Sequence, residues 1–229
     1  IYTLSLPDAL PIYPKMRFVF LGKAITSLRG PSHAAVYRPL MRELAAAGHD
    51  VLFLERDAPG HTDRREMVTP PQEPVRRYAS LDELREAHGR DVSQADLVVV
   101  GSGMPDEAAA CDWVRRTTRG PMAFYDIDST LAPGGGRDDC QDLMRRLLGR
   151  MDLYLSFSGG PLLRRMDREL GVPLARQLYG AADVSQYFPP ATKPPWDLGY
   201  IDDSSEDRQG PLETLMLEAV RLWGRGRVM

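Results

Sequence analysis

The sequence predicts an α/β protein: a Rossmann-like, doubly wound parallel sheet followed by the start of a second domain. Three observations predict it. Short apolar runs, RFVFLG, DVLFLE, ADLVVVG, MAFYDID and DLYLSF, have the length of buried strands. Helical segments separate them, and strand–helix alternation implies parallel neighbours covered on both faces. A proline-rich stretch, FPPATKPPW, then interrupts the alternation, and a new strand-like run follows it.

The first residues stand apart. Ile1–Ile12, IYTLSLPDALPI, closely resembles the translation of a common sequencing-library adapter that would carry His in place of Pro7. A native start at Met16 would place RFVFLG at once behind it, so residues 1–15 are read as an artefactual or disordered arm. Arg17–Leu21 is the first strand, closed by Gly22. A helix follows from about His33 to Ala47, with Val36, Leu40 and Leu44 on one face and Gly48 as a left-handed cap. Pro39 is expected to kink it or delay its start. Asp50–Glu55 is the second strand, residues 58–74 a long loop, and Val75–Tyr78 a short third strand. LDELREAHG reads as a short helix capped by Ser80.

Asp96–Gly101 is a central strand. Pro105–Arg119 is a helix opened by proline in its first turn, and Met122–Asp128 the next strand. Asp138–Gly149 is helical, Asp152–Phe157 a strand, and Pro161–Leu170 a helix ending at Gly171. ARQLYG supplies a last short strand. WDLGYI and Pro211–Trp223 then read as the first strand and helix of another unit. A strand, a helix and a stub cannot build a core, so that unit is expected to be incomplete. The domain reading is residues 16–188, a linker at 189–195, and a truncated second domain at 196–229.

Composition bounds the function. Hydrophobic residues make up 43% of the 229 and charged ones 27%, which suits a globular protein. The net charge of -3 gives no basic excess for nucleic acid. No apolar run is long enough for a bilayer. Cys111 and Cys140 share no metal or redox spacing, and two isolated cysteines point to a reducing, cytoplasmic setting.

In a doubly wound sheet ligands bind beyond the carboxyl ends of the strands. After the first strand comes Thr26–His33, with hydroxyls, Gly30 and His33 near a helix start suited to anions. It is not G-x-G-x-x-G, so a dinucleotide fingerprint is absent. His33 is either a general base or a structural histidine. Ser102 follows the fourth strand in a glycine-rich turn. Ser158 and Gly159 follow the sixth, where paired glycines admit a ligand to the backbone or simply end the strand. Tyr125–Thr130 carries Asp126 and Asp128 as Asp-x-Asp-x-Thr. That pattern resembles the haloacid-dehalogenase phosphatases, which would make Asp126 a magnesium-assisted nucleophile. Capping and loop hydrogen bonds are the plain alternative for both aspartates.

Read as a whole, the chain resembles the spore-maturation-type glycosyltransferases, a bacterial family with the two-domain GT-B fold. The resemblance is carried by GPSHAAVYRPLMRELAAAGHDVLFLERDAP, SLDELREAHGRDVSQADLVVVGS, FYDID, DLYLSFSGGPLLRRM and ARQLYGAADVSQYFPP, in that order. It implies an active site between two domains. The first domain would mostly hold an acceptor, and the second a nucleotide-sugar donor as co-substrate. No metal or other cofactor is implied. His33 or Asp126 would be the base, and Ser27, Gly30, Ser102, Asp128, Ser158 and Gly159 would line the cleft. The chain alone would then be an inactive fragment. The other readings are the Asp126/Asp128 phosphatase and a non-catalytic sugar- or nucleotide-binding module.

Overall fold

The computed structural model describes residues 14–23, 25–26, 32–57, 74–127, 147–161, 163–164, 168, 171–180, 187–189, 191–193, 195–199 and 209–223. The chain divides into two compact units, Ile1–Asp183 and Val184–Met229.

The first unit is a seven-stranded sheet in the order β3-β2-β1-β4-β5-β6-β7. Its strands are β1 (Arg17–Lys23), β2 (Asp50–Arg56), β3 (Val75–Tyr78), β4 (Leu97–Gly101), β5 (Met122–Asp126), β6 (Leu153–Ser156) and β7 (Ala175–Gln177). All neighbours run parallel. The helices between them are α1 (Ser32–Ala46), α2 (Leu81–Ser93) and α3 (Glu107–Thr117). The fold class read from the sequence is therefore the one observed.

Both faces of the sheet are buried, which is why its strands read as nearly unbroken apolar runs. Alternate residues feed two cores. Leu21, Leu54, Val100, Phe124 and Tyr154 pack with Leu84 and Val92 of α2 and Ala110, Cys111 and Val114 of α3. Phe20, Phe53, Val99 and Tyr125 pack with Tyr37 and Met41 of α1 on the other face. Aromatic edges lock the second core: the Tyr37 ring meets Phe53 at 5.1 Å and Tyr125 at 5.9 Å.

Three helix boundaries differ from the sequence reading. Helix α1 runs unbroken through Pro39, and Gly48 takes φ +90 after it, as the cap position wants. Helix α2 continues past Gly89 to Ser93, because Leu84 and Val92 bury two turns of one face. Its start is as expected, with Ser80 Oγ accepting from Glu83 N at 3.2 Å. Helix α3 begins at Glu107, so Pro105 lies outside it. Asp106 before it adopts left-handed φ 58, which aspartate tolerates better than most residues.

The expected helices at Asp138–Gly149 and Pro161–Leu170 fall largely outside the described residues. Leu147–Leu148 and residues 160–161, 163–164 and 168 are helical. In the second unit α4 (Gln209–Leu212) passes through a π-helical turn, Glu213–Leu217, into α5 (Glu218–Trp223). Leu215, Leu222 and Trp223 are exposed on it. Of the strand expected at WDLGYI, Leu198 alone makes a β-bridge among the described residues. No helix among the described residues is long and apolar enough to cross a membrane.

Candidate active site

Strand order places the switch point between β1 and β4, since connections move outward from there in opposite directions. A crevice at the carboxyl ends of such strands is where α/β sheets bind ligands. The residues on that rim were built by strand alternation. Lys23, Arg56, Asp126 and Ser156 each follow by two a residue of the α2/α3-face core, so they continue that face. Glu55 continues the α1 face.

On β5 and β6 the rim is closed by internal hydrogen bonds. Asp126 is 1% exposed, and its Oδ2 accepts from Tyr154 Oη at 2.6 Å. The Asp126 carbonyl accepts from Phe157 N at 2.9 Å. Ser102, fully buried, accepts from Ile127 N at 2.9 Å, and its own N–H donates to the Tyr125 carbonyl at 3.0 Å. Ser156 Oγ accepts from Ser158 N at 3.0 Å. Burial first, then the neighbouring Asp126 carboxylate, pushes the Tyr154 phenol well above its ordinary range. That phenol is therefore a permanent donor to Asp126.

On the α1 face His33 lies in the first turn of α1 and is 1% exposed, with its ring 6.4 Å from that of Tyr37. Tyr37 packs tightly over the end of β4. A Cβ added at Gly101 would overlap the Tyr37 hydroxyl, so this position requires glycine. Tyr125 donates to the Leu178 carbonyl at 2.8 Å, tying β5 to the segment after β7. Burial pushes the Tyr125 phenol up to about 12. Glu55, buried at the end of β2, accepts from Thr26 N at 3.2 Å and Thr26 Oγ1 at 2.8 Å. That carboxylate anchors the loop after β1.

The structure thus separates the two residues read as alternative bases. His33 belongs to the α1 side of the sheet, and Asp126 to the α2/α3 side. It joins Ser102 and Asp126 through the end of β5, and sets Ser158 and Gly159 just beyond β6. Tyr179 approaches Gly159 closely, and a Cβ there would overlap its hydroxyl unless the half-exposed ring swung aside. Ser27, Gly30 and Asp128 lie outside the described residues. Among the described residues no group of three or more His, Cys, Asp or Glu is placed to hold a metal ion.

Sequence reasoning missed Glu55, Tyr154 and Arg56. Arg56 ends β2 with its side chain 13% exposed, and its Nη2 donates to Asp106 Oδ2 at 3.0 Å. Its Nη1 donates to the carbonyls of Asp57 at 2.6 Å and Ala79 at 2.5 Å. The Tyr78 ring lies 5.9 Å from the guanidinium carbon. Their shared signal is being the last or next-to-last polar residue of an apolar strand. A groove of about 770 Å³ also opens at the opposite, amino edge, between Arg17, Arg42, His49 and Arg76. Its Asp91 already binds Arg17 at 2.5 Å and His88 at 3.1 Å.

No protein-family model matches the chain, and no curated protein matches it. Solved structures do. HepE of Anabaena bound to UDP and glucose matches at TM-score 0.51 and 14% identity, over 93% of this chain and 68% of that one. HepE bound to UDP-glucose matches at TM-score 0.50 and 13% identity, over 89% of this chain and 50% of that one. An α-glucosyltransferase bound to UDP and mismatched DNA matches at 0.48 and 12%, over 76% and 42%. This chain therefore spans 42% to 68% of the length of these three chains. At these identities the HepE likeness shows a shared fold.

Proposed function

We propose that this chain is the acceptor-side half of a nucleotide-sugar glycosyltransferase, working at the carboxyl rim beside the β1/β4 switch point. The observation that carries the reading is the sheet itself. Seven parallel strands in the order 3-2-1-4-5-6-7 set the polar ends of β1, β2 and β5 along one rim of the sheet. The HepE structures, solved with UDP, glucose and UDP-glucose, support it through their fold. On this reading residues 196–229 begin a donor-side domain, and the chain is inactive without the rest.

Glycosyl transfer needs a base for the acceptor hydroxyl and a stabiliser for the departing diphosphate. His33, in the first turn of α1, is the proposed base. Asp126 serves better as a brace. One of its oxygens is held by Tyr154. The same geometry weighs against the phosphatase reading, because a nucleophilic aspartate must present an oxygen to its substrate. Ser158 and Gly159 remain proposed cleft residues, and Ser102 a support beneath it.

The test is to extend the reading frame through its next domain and assay nucleotide-sugar turnover, with His33→Gln and this chain alone beside it. Turnover by the long protein, lost in the other two, is the expected result. A long protein that neither binds nor turns over any nucleotide sugar overturns the reading.

A further inference from the structure

Arg56 carries more than a strand-end salt bridge would explain. Its Nε and Nη2 form one edge of the guanidinium, the edge that grips a carboxylate or phosphate with two parallel hydrogen bonds. Asp106 uses half of that edge, accepting from Nη2 at 3.0 Å. Nε is buried and meets no hydrogen-bond partner among the described residues. The carboxylate that occupies the edge is itself 52% exposed and belongs to a residue in the left-handed region. It forms no side-chain cap on α3. Asp106 gives up one hydrogen bond and keeps its access to water when it leaves, so an incoming oxyanion can take its place.

A second cation stands next to the first. Lys23 and Arg56 are register partners across β1 and β2, on the same face, with backbones about 4.8 Å apart. Lys23 ends β1 at the switch point, Arg56 lies one strand away, and its Nη2 reaches the residue before α3, whose dipole favours negative charge. Glu107 already fills part of that turn, accepting from Gly103 N at 2.5 Å. Protein carboxylates thus occupy positions that suit a ligand's oxyanion.

We propose that Arg56, with Lys23, is a binding site for a phosphate or carboxylate group of the substrate, and that Asp106 is the internal stand-in which that group displaces. This rests on the transferase reading for which substrate brings the anion, and on the geometry alone for the anion itself. The step is an exchange of partners: Nη2 leaves Asp106, and Nε and Nη2 both donate to the incoming oxyanion.

The test is calorimetric titration of the chain with sodium phosphate, on the parent sequence and on Asp106→Asn, Arg56→Gln and Lys23→Gln. Thermal unfolding checks that each variant is folded. Removing the stand-in should tighten phosphate binding about fivefold, and removing the fork should weaken it about tenfold. A merely structural bridge would leave Asp106→Asn with unchanged or weaker affinity, and that result overturns the proposal even if Arg56→Gln fails to fold. UDP and glucose 6-phosphate are then added as competitors. Displacement by UDP assigns the anion to the donor diphosphate, and displacement by glucose 6-phosphate to an anionic acceptor. If neither displaces phosphate, the site is no substrate site and the proposal falls. Absence of nucleotide-sugar turnover beside intact, Asp106-sensitive phosphate binding would count against the transferase reading alone.

Discussion

On the β5–β6 side of the carboxyl rim, Asp126, Tyr154, Ser102 and Ser156 take part in hydrogen bonds inside the protein, while on the β1–β2 side Arg56 reaches a half-exposed carboxylate on a neighbouring turn. Both sides end strands of the same sheet, and both carry groups that a sequence reading treats as chemical. The difference lies in what completes them. A buried carboxylate with a phenol 2.6 Å away is part of the fold. A guanidinium edge half filled by a solvated aspartate is open to exchange. Charge at a strand end therefore says little about function until its partner is known.

The largest effect belongs to Tyr154→Phe, which strips a buried carboxylate of its donor and should cost about 2–3 kcal/mol in urea unfolding. A loss below about 0.5 kcal/mol would mean that Asp126 is not held as described.

Alkaline pH comes next. Burial raises Tyr154 and Tyr78, and lifts Tyr125 to about 12. Unfolded tyrosines ionise near about 10. Stability is thus full below about pH 10 and falls as pH rises toward 12, because the unfolded chain releases protons that the native one keeps. Tyr154→Phe should make that fall shallower, since one contributor is gone. A parent curve flat from pH 9 to about 11.5 would contradict the burial of these phenols.

The smallest effect is that of Asp106→Asn on stability, within about 1 kcal/mol of the parent. A cost well beyond that would make the Arg56–Asp106 bridge structural.

Much of the fold was legible in the sequence, because a parallel sheet buried on both faces leaves continuous apolar runs. VVV in β4 and MAFY in β5 could be read directly. The topology added by the structure is the outward order from β1 and β4, which periodicity does not encode. Helix ends were less legible. Gly89 reads as a terminator, yet packing of Val92 carries α2 beyond it. Pro105 reads as a helix opener, yet the turn before α3 is organised by Glu107 on Gly103 N and by Asp106 on Arg56.

The site was legible only in its location. Asp126 attracts notice as part of Asp-x-Asp, but its role depends on Tyr154, 28 residues away in sequence. Arg56 and Lys23 attract none, because their pairing exists only once β1 and β2 are in register. Glu55 is likewise silent until Thr26 folds over it.

The two halves of the rim divide the work between holding the fold and holding an anion, and a paired experiment separates them. Urea unfolding and phosphate titration would be run side by side on Tyr154→Phe and Arg56→Gln. Tyr154→Phe should lose stability while keeping phosphate affinity within about twofold, and folded Arg56→Gln should lose about tenfold in affinity. Loss of phosphate affinity in folded Tyr154→Phe equal to that in Arg56→Gln would contradict it, because the two halves of the rim would then act as one site.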